Sequence, residues 1–126
     1  MSKEEIKILL VDDEKQFVDT LAERLAMRGF SARVAYDGPQ ALKAVEEPTD
    51  VIVLDLRMPG MDGFEVLRSV KKSNPQVQVI ILTGHGGDAE EQTAYRMGAY
   101  NFLKKPMDID ELLNSIRMAY RDKVEN

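Results

Sequence analysis

Five short, mostly apolar runs alternate with longer amphipathic segments, and this alternation limits the fold of the chain more than any other feature. The runs are Ile6–Val11, Ser31–Tyr36, Val51–Leu54, Val77–Leu82 and Tyr100–Leu103. Short continuous apolar runs rich in β-branched residues are typical of strands that are buried on both faces. The alternation therefore predicts right-handed βαβ units and an α/β fold with a doubly wound, five-stranded parallel sheet and five helices.

Helical periodicity fills the intervals between these runs. Phe17, Leu21 and Leu25 recur every four residues and predict a helix. Gly29 is predicted to end it, because many helices end at a glycine in the left-handed conformation. A second helix is predicted to begin at Asp37-Gly38-Pro39, since proline fits the first turn. The remaining helices are predicted from Phe64 to Asn74-Pro75, from about Asp88 to Met97, and around Ile109–Tyr120.

The predicted helix from about Asp88 to Met97 is polar on most of its surface. Its inner face offers little beyond Ala89, Ala94 and Met97. Weakly packed elements of this kind are the ones that conformational switches use.

Composition narrows the class of protein. The 126 residues are 44% hydrophobic and 31% charged, which is typical of a globular domain, and there is no cysteine for a disulfide or a thiolate zinc site. No apolar run is long enough to span a membrane, and the polar, acidic start at residues 1–5 does not resemble a secretion signal. These features favour a cytoplasmic protein without membrane contact.

The net charge of −5 is unevenly distributed. Residues 1–63 hold 13 acidic and 8 basic side chains, whereas residues 64–126 hold 9 of each. An acidic excess of this kind argues against direct contact with nucleic acid.

Polar residues stand where four of the predicted strands end. Asp12 and Asp13 follow the first strand, Asp55 the third, Thr83 the fourth and Lys105 the fifth. In an open α/β sheet, ligands bind at the carboxyl ends of the strands, so these five side chains are predicted to share one edge.

Three neighbouring carboxylates repel one another unless a cation balances them, and Mg²⁺ suits oxygen ligands that leave room for phosphate. Lys105 adds a positive charge and Thr83 a hydroxyl donor. This set of groups favours phosphoryl transfer, with Asp55 as the nucleophile that forms an aspartyl phosphate. Each residue has a simpler interpretation: the Asp12-Asp13 pair as a helix cap, the others as loop or surface residues.

The order and context of these residues resemble the receiver domains of bacterial two-component response regulators, over essentially the whole chain. The matching stretches are Val11–Glu14, Leu54–Asp55, Met58–Gly63, Leu82–His85, Gly98–Ala99 and Phe102–Pro106. The resemblance implies a flavodoxin-like sheet with strand order 2-1-3-4-5. It also implies a signalling switch rather than a turnover enzyme.

The same resemblance assigns roles to individual residues. Asp12, Asp13, Asp55 and the backbone carbonyl of Arg57 would hold Mg²⁺. Asp55 would be the phosphoacceptor, with Thr83 and Lys105 binding the phosphoryl oxygens.

Further roles that the resemblance implies concern the response to phosphorylation. Thr83 and Phe102 would form the switch: as Thr83 and its loop move toward the phosphoryl group, Phe102 would turn into the space that they vacate. The family often has tyrosine at this position, so any hydrogen bond of the outward or inward rotamer is left open. The side chains of Arg57 and His85 would tune the phosphoryl lifetime, although an exposed loop residue without a catalytic role is an equal interpretation of His85. A cis Lys105–Pro106 bond is also expected.

The partners implied are a sensor histidine kinase or a phosphotransfer protein. A phosphorylation-dependent homodimer or an effector is expected on the face formed by the fourth helix, the fifth strand and the fifth helix. Residues 1–126 are expected to form one receiver domain, either alone or as the N-terminal part of a longer response regulator.

Three alternatives remain open. A magnesium-dependent phosphatase of the haloacid-dehalogenase type would need an acid where Arg57 stands. A flavodoxin-like cofactor binder would need a phosphate-binding loop where the acidic Asp12-Asp13-Glu14 sequence stands. A degenerate receiver that acts only as a binding module would have an incomplete acidic pocket.

Overall fold

Strands and helices alternate along the whole described part of the chain. The computed structural model describes residues 5–125, so the predictions that concern residues 1–4 and 126 lie outside it. The elements are β1 (Ile8–Val11), α1 (Lys15–Met27), β2 (Ala32–Ala35), α2 (Gly38–Ala44), β3 (Val51–Leu54), α3 (Gly63–Ser73), β4 (Gln78–Thr83), α4 (Asp88–Arg96), β5 (Asn101–Lys104) and α5 (Ile109–Glu125).

The five strands form a single parallel sheet in the order β2-β1-β3-β4-β5. In this register Val11 lies beside Leu54, and Leu54 lies beside Ile81, so the strands end almost level with one another. The observed topology confirms the predicted flavodoxin-like fold. It also places the carboxyl ends of all five strands along one edge of the sheet.

Apolar layers cover both faces of the sheet because successive residues of each strand point to opposite sides. Leu9 and Val11 of β1 belong to the layer that packs under α2, α3 and α4. Ile8 and Leu10 of the same strand belong to the layer that packs under α1 and α5. Continuous apolar strands are therefore required here, as the sequence predicted.

The ends of the elements follow local chemistry, with small shifts from the predicted bounds. Gly29 after α1 and Gly98 after α4 both have positive φ, 87° and 103°, which only glycine adopts readily. The first strand begins at Ile8 rather than Ile6, although Ile6 is buried.

The last helix runs beyond the predicted Tyr120 to Glu125. Polar contacts fix its final turns: Lys123 Nζ lies 3.1 Å from Asp50 Oδ1, and the Tyr100 hydroxyl donates to Asp122. Among residues 5–125, neither α5 nor any other helix is long and apolar enough to cross a membrane.

The fourth helix is anchored even more weakly than the sequence predicted. Ala94 is its one buried residue, while Met97 at its end is half-buried. The assignment of Ala89 to the inner face is wrong, because this residue is exposed. Ala89 lies in the first turn of α4 and is not part of the apolar layer to which Ala94 belongs.

Candidate functional site

The backbone of the sheet positions the polar residues at the strand ends. The amide of Asp12 donates to Ala35 O at 3.1 Å, and that of Asp55 donates to Val11 O at 3.0 Å. The amide of Lys105 donates to Thr83 O at 2.9 Å. Each of these residues is therefore held by the strand beside it, which fixes where its side chain begins.

Asp12, Asp13 and Asp55 form a compact acidic site. Each offers a carboxylate oxygen, and these oxygens all lie within 4.8 Å of one another. Asp12 and Asp55 are buried, with 4% and 3% exposure, whereas Asp13 is exposed. The structure thus brings together the three carboxylates that the sequence predicted would meet.

The surroundings of Asp55 Oδ1 indicate whether this site suits a metal ion. Asp55 Oδ1 is buried and has no hydrogen-bond partner in residues 5–125. A buried carboxylate oxygen without a partner is costly, and a hard divalent cation bound by oxygen ligands would satisfy it. The three carboxylates therefore have the donor chemistry that Mg²⁺ requires.

Lys105 extends its ammonium group into the acidic site. Its Nζ lies 2.7 Å from Asp12 Oδ2, 2.8 Å from Glu14 Oε1 and 3.8 Å from Asp55 Oδ2. The Lys105–Pro106 bond is cis, as expected. Lys105, rather than the exposed Lys104 beside it, is the lysine of the site.

Burial and ion pairing set the charges of this site. Burial raises the pKa of Asp12, against the hydrogen bond from Lys105, which lowers it. Burial alone would lower the pKa of Lys105, but the hydrogen bonds to Asp12 and Glu14 outweigh it, and the pKa of Lys105 is raised. The lysine therefore remains a cation at neutral pH.

Thr83 is fully buried at the end of β4. Its hydroxyl oxygen accepts a hydrogen bond from the amide of His85 at 3.2 Å. The hydroxyl is thus hydrogen-bonded to the start of the loop that leads to α4. A new hydrogen-bond partner for the hydroxyl would therefore affect the position of that loop.

Phe102 of β5 is turned inward. The side chain is 7% exposed and belongs to the apolar layer under α2, α3 and α4. A methyl group at Gly86 would lie 3.3 Å from Phe102 Cζ, so the ring tip borders the loop between β4 and α4. Thr83 and Phe102 therefore both border the loop between β4 and α4.

Arg57 and His85 are both exposed and line one cavity of about 490 Å³ beside the loop that follows Asp55. Glu90 of α4 lines the same cavity. Its carboxylate accepts the amide of Gly87 at 2.8 Å, a bond that lowers the pKa of Glu90. The roles predicted for Arg57 and His85 in phosphoryl lifetime remain predictions.

Two residues at the N-terminus of α1 belong to the site, although the sequence pattern predicted no role for them there. Glu14 is the N-cap of α1 and binds Lys105, and Phe17 presents its ring 4.3 Å from Lys105 Nζ. The position of Glu14 directly after two aspartates was a usable signal, whereas Phe17 looked like part of an apolar stripe. The interpretation of Asp12-Asp13 as a helix cap is wrong, since no side-chain hydrogen bond caps α1.

Gly63 is a third residue whose importance only the structure reveals. A Cβ atom at this position would lie 2.3 Å from Asp55 O and 2.6 Å from Leu56 Cα. Real Cβ atoms do not approach backbone this closely, so glycine is required where α3 begins against the end of β3.

Comparison with known sequences identifies relatives across almost the whole chain. The family described as "Response regulator receiver domain" matches residues 8–117. The transcriptional regulatory protein CpxR of Escherichia coli (strain K12) is 37% identical over 115 residues, which are 91% of this chain and 49% of CpxR. A putative NtrX-like response regulator of Rickettsia bellii is 38% identical, over 90% of this chain and 24% of that protein. The chain thus spans about half the length of CpxR and less of the NtrX-like protein.

Solved structures agree with this assignment. The receiver domain of Francisella response regulator 1452 superimposes with a TM-score of 0.86 at 31% identity, covering 93% of this chain and 98% of that one. A CheY-like receiver domain protein from Methanospirillum hungatei has a TM-score of 0.91 at 24% identity, covering 97% and 98% of the two chains, which shows the shared fold. The chain belongs to the receiver domain family of two-component response regulators, whose general function is to be phosphorylated on an aspartate.

Proposed function

We propose that Asp55 is the phosphoacceptor of this receiver domain and that its phosphorylation switches a distant face of the protein. The observation that carries the proposal is the environment of Asp55. Its carboxylate is buried at a strand end, one oxygen lacks a partner, and a lysine ammonium lies 3.8 Å from the other. A buried carboxylate with one oxygen that no other group satisfies can accept a new partner beside a cation.

The proposed reaction is an in-line transfer from a phosphohistidine. A carboxylate oxygen of Asp55 attacks phosphorus, and the bond between phosphorus and the donor imidazole breaks. The imidazole nitrogen keeps the electron pair and takes a proton from solvent. Lys105 and the Thr83 hydroxyl bind the phosphoryl oxygens as their charge develops, which stabilises the transition state by fixed electrostatics.

Asp12, Asp13, Asp55 and the backbone carbonyl of Arg57 are the proposed protein ligands for Mg²⁺. When bound, the metal supplies charge neutralisation for the transferring group. The oxygen chemistry of the three carboxylates and the partnerless Asp55 Oδ1 support this assignment.

The proposed switch begins with the charge on Asp55. A phosphoryl group brings nearly two negative charges and three acceptor oxygens. The Thr83 hydroxyl would donate to those oxygens, and the loop before α4 would move with it, because the amide of His85 donates to the same hydroxyl oxygen. Phe102 lies against the same loop and would repack as the loop moves.

The regulated surface is proposed to be the face formed by α4, β5 and α5. A short polar chain joins these elements: the Tyr95 hydroxyl donates to Asn101 Oδ1 at 3.1 Å, and Asn101 Nδ2 donates to Ser115 Oγ at 2.9 Å. Tyr95 is 42% exposed, and Ala94 is the one buried residue of α4. A helix held by so few contacts can shift when its loop is displaced.

The remaining proposals follow from the family. The phosphodonor is a sensor histidine kinase or a phosphotransfer protein, and the output is a homodimer or an effector bound to the α4-β5-α5 face, in the cytoplasm. The domain is proposed to comprise residues 1–126 and to act as a signalling switch rather than a turnover enzyme. Arg57 stands where a haloacid-dehalogenase phosphatase would place its second acid, and Asp12-Asp13-Glu14 would repel a flavodoxin-type phosphate.

Phosphorylation with a small donor tests the acceptor. Acetyl phosphate with Mg²⁺ is expected to add one phosphoryl group that hydroxylamine removes, as it does from acyl phosphates. Asp55→Asn is expected to abolish labelling, whereas Asp88→Asn, at an exposed aspartate beyond the loop, is the matched control and retains it. Equal labelling of the Asp55→Asn protein would exclude Asp55, and no labelling of the parent would favour a degenerate receiver.

A further inference from the structure

The ammonium group of Lys105 is enclosed by two kinds of neighbour. Carboxylates of Asp12, Glu14 and Asp55 lie at 2.7, 2.8 and 3.8 Å from Nζ. The ring of Phe17 lies on Nζ as well, with its centroid at 4.3 Å. A cation at this distance over an aromatic face is attracted by the ring quadrupole.

The N-terminus of α1 supplies both residues, since Glu14 is its N-cap and Phe17 lies in its first turn. Residues three apart lie on the same face of a helix, so the Glu14 carboxylate and the Phe17 ring are presented to the same ammonium. Phe17 is half-buried against the apolar layer under α1 and α5. A side chain packed in this way has a fixed ring orientation, whereas Glu14 is 64% exposed and free to exchange its partner for water.

Lys105 requires such a fixed neighbour because its side chain is a flexible four-carbon stem. The residue follows the end of β5 and is held at its backbone by the bond from its amide to Thr83 O. Beyond that bond, only contacts with other side chains set the position of Nζ. The distance from Nζ to Asp55 therefore depends on the side chains around the ammonium, which are Asp12 after β1, and Glu14 and Phe17 at the N-terminus of α1.

We infer that Phe17 is a positioning residue for phosphoryl transfer: its ring holds the Lys105 ammonium within reach of Asp55. The ring has no polar atom to offer to Asp55 or to a metal ion, so it acts only through Lys105. The inference rests on the proposed roles of Asp55 and Lys105. It adds to them a specific aromatic residue on α1.

Nuclear magnetic resonance tests the contact before any reaction takes place. The ε-methylene protons of Lys105, assigned with a Lys105→Arg protein, are expected to be shifted upfield by the ring current of Phe17. Phe17→Leu, which keeps an apolar side chain but loses the ring, is expected to remove that upfield shift. Phe17→Tyr is expected to preserve it.

The rate of phosphorylation by acetyl phosphate tests the role. Phe17→Leu loses a cation–π contact in a largely desolvated setting, so its phosphorylation rate is expected to be on the order of tenfold lower than that of the parent. Phe17→Tyr keeps an aromatic ring and is expected to retain most of the parent rate. Mg²⁺ affinity is expected to stay within about twofold of the parent in both proteins, since Phe17 offers no oxygen ligand. A general loss of structure would instead lower the stability and the Mg²⁺ affinity together.

Phe30→Leu is the matched control. Phe30 is a buried phenylalanine just beyond the opposite end of α1, with the Arg117 guanidinium 5.1 Å from its ring centroid. Phe30→Leu removes a similar volume and a similar type of contact to Phe17→Leu. Its phosphorylation rate is nevertheless expected to equal that of the parent.

The outcomes separate the inference from the proposed function. A parent that is not labelled on Asp55 overturns the proposed function, whatever the resonances of Lys105 show. A parent that is labelled, with Phe17→Leu reacting equally fast, overturns the positioning role of Phe17. Failure of Phe17→Tyr to restore the rate overturns it as well, and unchanged Lys105 resonances in Phe17→Leu overturn the contact itself.

Discussion

Asp12 and Lys105 form a nearly buried ion pair, with Nζ 2.7 Å from Asp12 Oδ2 and side-chain exposures of 5% and 12%. The pair joins the end of β1 to the loop after β5. Asp12 is also a proposed ligand for Mg²⁺, so a bound metal ion and the ammonium compete for the same carboxylate. Metal binding is therefore expected to weaken the bond to Asp12 and to free Lys105 for the phosphoryl oxygens on Asp55.

The first prediction concerns the metal site. Double replacement of Asp12 and Asp13 by alanine is expected to lower Mg²⁺ affinity by more than about tenfold, because two of the three carboxylates are lost. The fold is expected to persist, since removing two charges relieves repulsion with Asp55. Calorimetric or chemical-shift titration measures the affinity.

The matched control for this prediction replaces Glu46 and Glu47, an adjacent pair of exposed acids remote from the strand ends. That double variant is expected to bind Mg²⁺ like the parent. If the Asp12 and Asp13 double variant also titrates like the parent, the cation binds elsewhere.

A second prediction follows from the close approach of Gly63 to Asp55. Gly63→Ala would place Cβ 2.3 Å from Asp55 O, so the backbone must move. The expected loss is about 1–3 kcal/mol of unfolding free energy, with slower phosphorylation because the acceptor itself is displaced. Gly84→Ala is the control, since its Cβ would meet nothing closer than Lys105 Cδ at 4.0 Å. Equal stability of the two proteins in urea denaturation would contradict the steric argument.

The third prediction concerns the switch. A beryllofluoride adduct on Asp55 is expected to change the amide shifts or exchange rates of residues 84–105, beyond the immediate neighbours of the acidic site. Thr83→Ala is expected to suppress this remote response while the adduct still forms, because the loop then lacks the hydroxyl that follows the new charge. Changes confined to residues beside Asp12, Asp13 and Asp55 would refute the switch. An undiminished remote response in Thr83→Ala would refute the part assigned to the hydroxyl.

The fourth prediction uses the hydrogen bond from the Tyr100 hydroxyl to Asp122, which fixes the last turns of α5. This bond raises the pKa of Tyr100. The bond therefore contributes stability below the unfolded pKa of about 10, and the contribution is lost as pH rises through the higher folded pKa. Tyr100→Phe is expected to cost about 1 kcal/mol at pH 8, a low value for a bond to a charged group because Asp122 is partly exposed.

Urea denaturation of parent and Tyr100→Phe from pH 8 to pH 11 checks the sign of this effect. The stability difference is expected to shrink above about pH 10 as the parent tyrosine ionises beside a carboxylate. A difference that stays constant over this range would show that the hydroxyl contributes by packing alone.

Patterns in the sequence were enough to predict the architecture and the residues that meet in the acidic site. Apolar runs that are continuous rather than alternating require a sheet covered on both faces, and parallel strands bring their carboxyl ends to one edge. Asp12, Asp55 and Lys105 each follow a strand directly, so their meeting is a consequence of topology. Local patterns are enough for this step because they record which face of each element is buried.

The contacts among the side chains at that edge could not be predicted from the sequence and are seen only in the tertiary structure. Three features depend on segments that are distant in sequence or held by loops. They are the contacts of Glu14 and Phe17 with Lys105, the inward rotamer of Phe102, and the contact of Gly63 with Asp55. Such contacts depend on rotamers and close packing in three dimensions, which no periodic pattern encodes. Phe17 is the clearest case: in sequence it is one member of an apolar stripe, and only the path of Lys105 across the end of the sheet places an ammonium group on its ring.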